Sequence, residues 1–144
     1  MRTVSWILLA VVGALVLLGG LASAYVAYGG GEDSLLPGGA GVEALDGVHP
    51  GLGVALRGRR ATAAAFAIAY AVLFLFVVLV PYRGGEVWSW WAVLSASVAL
   101  GLVIMARVPV LGTRAGAGTG LAQLVVVVVA LLLDVRRLRP RTAA

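Results

Sequence analysis

The stretch ATAAAFAIAYAVLFLFVVLVP, residues Ala61–Pro81, carries no charged side chain and determines the class of this protein. An α-helix needs about 20 apolar residues to cross the ~30 Å hydrocarbon core of a bilayer. Three further stretches have the same character, namely Val4–Tyr28, Val87–Ala106 and Gly120–Leu133. The sequence therefore predicts an all-α, polytopic membrane protein with four transmembrane helices in an antiparallel bundle.

The composition agrees with a membrane protein and leaves room for one domain. The chain is 62% hydrophobic and has a mean hydropathy of +1.06, whereas a soluble domain is about 45–50% apolar. Outside the four spans, its 144 residues provide only a polar, glycine-rich connection at 29–60 and a basic tail at 134–144. The chain has no cysteine, which excludes disulfides and thiolate metal sites.

The first apolar stretch allows two interpretations. Arg2, the apolar run after it and the triplet Ala22-Ser23-Ala24 fit a secretory signal that would be cleaved after Ala24. However, the apolar character continues to Tyr28, which makes a full span ending in two tyrosines suited to the membrane interface. We expect an uncleaved helix, with the three-span product of cleavage as the alternative.

The basic residues predict the orientation. All eleven are arginines, and they lie near the ends of the apolar stretches. This placement favours topology signals and lipid-headgroup contacts over a nucleic-acid surface. Arg2 and the cluster Arg136–Arg141 predict that both termini of a multi-pass cell-membrane protein face the cytoplasm.

Proline and small residues predict local features around the second span. Pro50 suits the first turn of a short interfacial helix over His49–Arg60, although two glycines weigh against that helix. Pro81 is expected to end the second span. Alanines at every fourth position, Ala63, Ala67 and Ala71, predict a packing stripe that lets a neighbouring helix approach closely.

The segment YRGGEVWSWW, Tyr82–Trp91, is the densest local feature. Its site candidates are Arg83, Glu86, Trp88, Trp90 and Trp91. A guanidinium, a carboxylate and indole rings suit a ligand or lipid headgroup. The simpler interpretation, which we favour, is structural: glycines form the turn, tryptophans sit at the interface, and Arg83 pairs with Glu86.

The run Arg-x-Gly-Glu-x-Trp-x-Trp in this segment resembles the interhelical loop of small uncharacterised bacterial four-helix integral membrane proteins. Arg83, Gly85, Glu86, Trp88 and Trp90 match that pattern, with Ser89 in place of an alanine. The similarity is close in the loop and extends over Ala61–Leu133 only in hydropathy. It implies a four-helix bundle and carries no activity.

Two isolated ionisable residues have simple structural interpretations. His49 has no second histidine at metal-ligand spacing, so we expect a loop or cap residue. Asp134 follows the last apolar run and is expected at the membrane interface rather than in an intramembrane charge site. We predict no catalytic, cofactor-binding or metal site.

Three functions remain open. The leading hypothesis is a non-enzymatic accessory or lipid-interacting bundle, whose partners are the bilayer and other membrane proteins at small-residue helix faces. The second is a binder or carrier of a small lipophilic molecule within the bundle, with Tyr70, Ser95 and Ser97 as inward polar groups. A membrane enzyme that uses loop residues such as His49, Glu43, Asp46 or Glu86 is the least favoured. No span carries a charged residue near its centre, which weighs against proton relays, ion-coupled transport and voltage sensing.

Overall fold

The computed structural model describes residues 2–29, 47, 49–112 and 117–138. These residues are helical apart from short turns, and no strand occurs among them. The predicted all-α fold is confirmed. The helices are α1 (Arg2–Gly29), α2 (Leu52–Val77), α3 (Val87–Leu111) and α4 (Ala117–Leu133). Most of the glycine-rich connection and the end of the basic tail lie outside the described residues.

Three of these helices are long and apolar enough to cross a membrane: Thr3–Gly29, Leu52–Tyr82 and Val87–Val110. The fourth apolar helix is shorter, because α4 contains 17 residues. At a rise of 1.5 Å per residue it extends over about 26 Å, slightly less than the ~30 Å hydrocarbon core. The chain is therefore a helical membrane protein with three full-length candidate spans and one short apolar helix.

The helix α2 begins nine residues before the predicted span. It starts at Leu52, whose N–H donates to the carbonyl of His49 at 3.1 Å. It then continues through the arginine-rich segment without a break. The helix considered for His49–Arg60 is therefore present from Leu52 onward, as the first turns of α2, and helical structure continues through Gly53 and Gly58.

Pro81 lies within a π-helical turn, Val78–Tyr82, that directly continues α2. The expectation that Pro81 ends the helix is therefore wrong. Buried positions along this helix are spaced by seven, three, four and four residues, and the series is Ala64, Ala71, Phe74, Val78 and Tyr82. The wider π turn adds one residue after Val78. Tyr82 lies on the buried face, four residues after Val78, and Pro81 is half-buried.

The connection between α2 and α3 is very short. Gly85 adopts a positive φ of 102°, and its N–H donates to the carbonyl of Pro81 at 3.0 Å. The helix α3 then begins at Val87 and runs past Arg107 to Leu111, with Pro109 inside it. It ends at Gly112 in the left-handed conformation, with φ of 65°. The predicted end at Ala106 is therefore too early by more than one turn.

The chain divides into two compact units, of which unit 1 comprises Met1–Ala14 and Leu73–Ala144. Its described part contains the start of α1, the end of α2, and both α3 and α4. A Cβ atom at Gly120 would lie 2.8 Å from Ile104 Cγ2, so α3 and α4 approach closely at this glycine. All four helical segments contribute buried residues, including Leu9, Val78, Val93 and Val127.

Unit 2 comprises Leu15–Val72 and contains the second half of α1 and the first part of α2. A Cβ at Gly20 would lie 2.9 Å from Ile68 Cγ1 and 3.5 Å from Ala67 Cβ, so the two helices are in close contact there. Two members of the predicted packing stripe are confirmed, because Ala71 is buried and Ala67 lies against Gly20, and the third, Ala63, is wrong. Ala64 is buried in place of Ala63, seven residues (two helical turns) before Ala71.

Candidate functional site

The predicted site residues lie around the α2–α3 connection in unit 1. Arg83 and Glu86 are exposed on either side of the turn at Gly85. The three tryptophans occupy the first turns of α3 but differ in burial. Trp90 is 7% exposed, whereas Trp88 and Trp91 are 57% and 56% exposed. The segment therefore supplies one internal indole and two that face outward.

Trp90 connects α3 to the end of α4. Its Nε1–H donates to the backbone carbonyl of Leu131 at 3.1 Å, and both residues are buried. Its ring also makes an edge-to-face contact with Trp91, with centroids 4.9 Å apart and planes at 77°. A buried indole usually finds a hydrogen-bond partner for its N–H, and here that bond joins two helices.

A hydroxyl relay joins three further helix ends in unit 1. Ser5 Oγ lies 2.6 Å from Tyr82 Oη and donates to the carbonyl of Ala130 at 2.7 Å. A serine hydroxyl has one proton, and the carbonyl can only accept. Tyr82 must therefore donate to Ser5. Ser5 and Tyr82 are both fully buried, so this relay ties α1, the π turn and α4 together.

Two further contacts fix the turn itself. Ser89 is buried and donates from Oγ to the carbonyl of Glu86 at 2.6 Å. The guanidinium carbon of Arg83 lies 5.1 Å from the centroid of the Trp6 ring, which is within cation–π distance. Arg83 therefore contacts α1 across unit 1, so one of the predicted site cations has a defined structural neighbour.

Ser5 and Tyr82 were not among the residues predicted from the sequence. A single serine in an apolar run carries no signal of its own, and Tyr82 follows a proline that was expected to end the helix. Asp134 was expected at the interface, where a carboxylate is solvated. It is 7% exposed and follows directly after α4, so it is covered by the protein, and its position at the membrane interface stays a prediction.

These groups suit structural hydrogen bonding better than catalysis. A serine nucleophile needs an adjacent general base, and the partner of Ser5 is a phenol that donates to it. Across the described ranges, no three His, Cys, Asp or Glu side chains gather as a metal-binding group. His49 lies in an exposed turn just before α2. The arrangement holds helix ends together and presents indoles outward.

The polar groups considered for a bundle ligand have different positions. Ser95 is exposed and donates to its own helix, at the carbonyl of Ala92, so the inward position expected for it is wrong. Ser97 is 4% exposed and lines a void of about 10 Å³ between α3 and α4. A void of that size holds about one water molecule.

Comparison with known protein families, with curated proteins and with solved structures finds no match for this chain. The fold and the described residues therefore define its class, which is an all-helical membrane protein. The resemblance of the Arg83–Trp90 loop to small bacterial four-helix membrane proteins stays a prediction.

Proposed function

We propose that the chain is a non-enzymatic integral membrane protein that acts through its membrane-facing surface, as an accessory or lipid-interacting helical bundle. The main support for this proposal is that buried polar groups form hydrogen bonds between helices. The Tyr82–Ser5–Ala130 relay and the Trp90–Leu131 bond join helix ends within unit 1. Groups committed to such bonds hold the structure together and are not available to a substrate.

The outer surface supports the same proposal. Only 22%, 22% and 17% of the most apolar window of the three long helices is buried. Large apolar side chains such as Phe66, Leu73 and Leu102 are exposed. A surface of this kind suits lipid tails and the helices of other membrane proteins.

We further propose four membrane crossings with both termini in the cytoplasm. The positive-inside rule applied to Arg2 and Arg136–Arg141 supports this orientation. It requires α4 to act as the fourth span, with its buried end anchored to α3 by Trp90. The integration of Ser23 into unit 2, where it accepts a hydrogen bond from Arg60, supports retention of the first helix.

The alternative, a carrier of a small lipophilic molecule within the bundle, has less support. Pockets for small ligands are typically about 300–1,000 Å³. The void beside Ser97 measures about 10 Å³, and Ser95 points away from it. A ligand there would require α3 and α4 to separate at Gly101 and Gly120, which are both buried.

Photo-crosslinking in native membranes tests the proposal. Benzoylphenylalanine at exposed Leu73 should capture another membrane protein or lipid. The same probe at the neighbouring, buried Phe74 is the matched control and should react only within the chain. Small molecules extracted from the purified protein are identified in parallel by mass spectrometry. One copy per chain of a lipophilic molecule other than a phospholipid would overturn the proposal.

A further inference from the structure

A small internal void lies between α3 and α4 in unit 1. Its volume is about 10 Å³, and one water molecule needs about 10–15 Å³. Both helices contribute to its wall, and the residues that line it include Ser97, Gly101 and Ile104 of α3 and Gly120, Gln123 and Leu124 of α4. Of these described residues, only Ser97 and Gln123 carry polar side chains.

Two close helix contacts keep this void from closing. A Cβ at Gly101 would lie 3.1 Å from Leu124 Cδ2, and a Cβ at Gly120 would lie 2.8 Å from Ile104 Cγ2. Each glycine backbone is therefore already in contact with a side chain of the opposite helix. The helices cannot approach more closely at this level without overlap, so the space beside Ser97 is retained.

The hydroxyl of Ser97 needs a hydrogen-bond partner. Ser97 is 4% exposed, and its Oγ forms no hydrogen bond with any residue in the described ranges. A helical serine often donates to a carbonyl three or four residues earlier, as Ser95 does to Ala92 at 3.2 Å. A buried hydroxyl without such a bond is costly. Since Ser97 lies about 15 Å along α3, near the middle of the candidate span Val87–Val110, bulk water is distant.

Gln123 places a second polar group at the same void. It is the only glutamine in the chain, which has no asparagine, and apolar residues lie on both sides of it in α4. The side chain is half-buried. A carboxamide has both a carbonyl acceptor and an NH₂ donor group, and glutamines in membrane helices form hydrogen bonds across helices. Each helix therefore contributes one polar side chain to the void.

We propose that the void binds one water molecule, which bridges the Ser97 hydroxyl on α3 and the Gln123 carboxamide on α4. Buried waters bind to polar groups that otherwise lack partners, and each makes about two to four hydrogen bonds. A water bridge of this kind is nearly as favourable in enthalpy as a direct hydrogen bond. The site goes beyond the proposed function and does not depend on it.

Water suits this void better than other small occupants. Calcium and magnesium ions take about six or more oxygen ligands, whereas the described wall offers two polar side chains. An apolar occupant would leave the Ser97 hydroxyl without a hydrogen bond. Water is neutral, fits the volume, and both donates and accepts, so it satisfies the two side chains together.

Nuclear Overhauser transfer from water to glycine Hα protons tests the proposal. The full chain is labelled with ¹³C-glycine and studied in detergent micelles. We expect transfer to Gly101 and Gly120, which line the void. Gly13 is the matched control and should receive none, because it is buried in the same unit and a Cβ there would lie 2.7 Å from Leu75 Cδ2. Equal transfer to Gly13, or no transfer to either void glycine, would overturn the proposal.

Two substitutions test the side chains that hold the water. Ser97→Ala and Gln123→Leu should each lower the transfer to Gly101 about tenfold, the factor that corresponds to loss of one hydrogen bond. Ser95→Ala removes a hydroxyl at an exposed position of the same helix and should change nothing. Gln123→Leu keeps the Ser97 hydroxyl, so it separates bound water from exchange of the hydroxyl proton with solvent. Undiminished transfer in either Ser97→Ala or Gln123→Leu would contradict the bridge.

The outcome is independent of folding defects and of the proposed function. Ser97→Ala only removes an oxygen atom, and circular dichroism verifies the helix content of each variant. If Gln123→Leu does not fold, the comparison of Gly101 with Gly13 in the parent protein and the Ser97→Ala variant decide. A negative result would leave the crosslinks expected from Leu73 unaffected, so failure of the water site and failure of the proposed function are distinguishable.

Discussion

The hydroxyl relay in unit 1 leads to the most quantitative prediction. Tyr82→Phe removes the donor that Ser5 Oγ accepts at 2.6 Å and leaves the aromatic volume in place. A hydrogen bond within a protein contributes about 1 kcal/mol net, and interhelical bonds in membrane proteins average about 0.6 and reach about 1.7 kcal/mol. We therefore expect the free energy of unfolding to fall by about 1 kcal/mol.

Ser5→Ala should cost more than Tyr82→Phe. It removes the bond to the Ala130 carbonyl at 2.7 Å as well as the contact with the Tyr82 hydroxyl. The loss of a partner from a buried polar group costs about 1–3 kcal/mol. In the double variant the phenol is also absent, so the total loss should be smaller than the sum by about 0.5–1.5 kcal/mol.

Titration of detergent micelles with sodium dodecyl sulfate, followed by tryptophan fluorescence, measures these differences. The chain has four tryptophans, and all of them lie in unit 1. Tyr25→Phe, at an exposed position in unit 2, is the control and should change nothing. The relay is refuted if the two single effects add within about 0.3 kcal/mol, or if Tyr82→Phe behaves like the control.

Three further outcomes are expected. Mass spectrometry of the purified protein should find the first helix retained, and a mature N-terminus at Tyr25 would establish cleavage instead. Trp90→Phe should lower stability by about 1 kcal/mol through loss of its hydrogen bond, whereas Glu86→Gln should change it by about 0–1 kcal/mol. Loss of a cellular phenotype in folded Glu86→Gln would show that the turn is a functional site. Gly20→Ala should lower the free energy of unfolding by about 1–3 kcal/mol because Ile68 must move. Gly19→Ala is the control and should not lower it, because a Cβ there would meet nothing within 4 Å. Equal effects of the two substitutions would contradict the packing in unit 2.

The helical class could be predicted because it depends on long apolar runs alone. In lipid, a single apolar segment such as Ala61–Pro81 can form all of its backbone hydrogen bonds only as an α-helix. The ends of the helices were less predictable, since proline was treated as a stop. Pro81 and Pro109 both lie inside helical structure, because a missing N–H is accommodated by a π turn or near a helix end.

The candidate site was predictable only in part. Trp and Gly in the Tyr82–Trp91 segment indicated an anchored turn, yet the sequence did not distinguish buried Trp90 from exposed Trp88 and Trp91. The Ser5–Tyr82 bond joins residues 77 positions apart. No periodicity in either segment alone contains that information.

Single-cysteine labelling tests the central claim, that the chain crosses the membrane four times with both termini inside. The chain has no cysteine of its own, so each introduced thiol reports one position. An impermeant maleimide on intact cells should label Ala40→Cys and Thr113→Cys. It should label Gly84→Cys and Ala144→Cys only after permeabilisation. Labelling of Thr113→Cys and Ala144→Cys from the same side would show that α4 does not cross and would contradict the account.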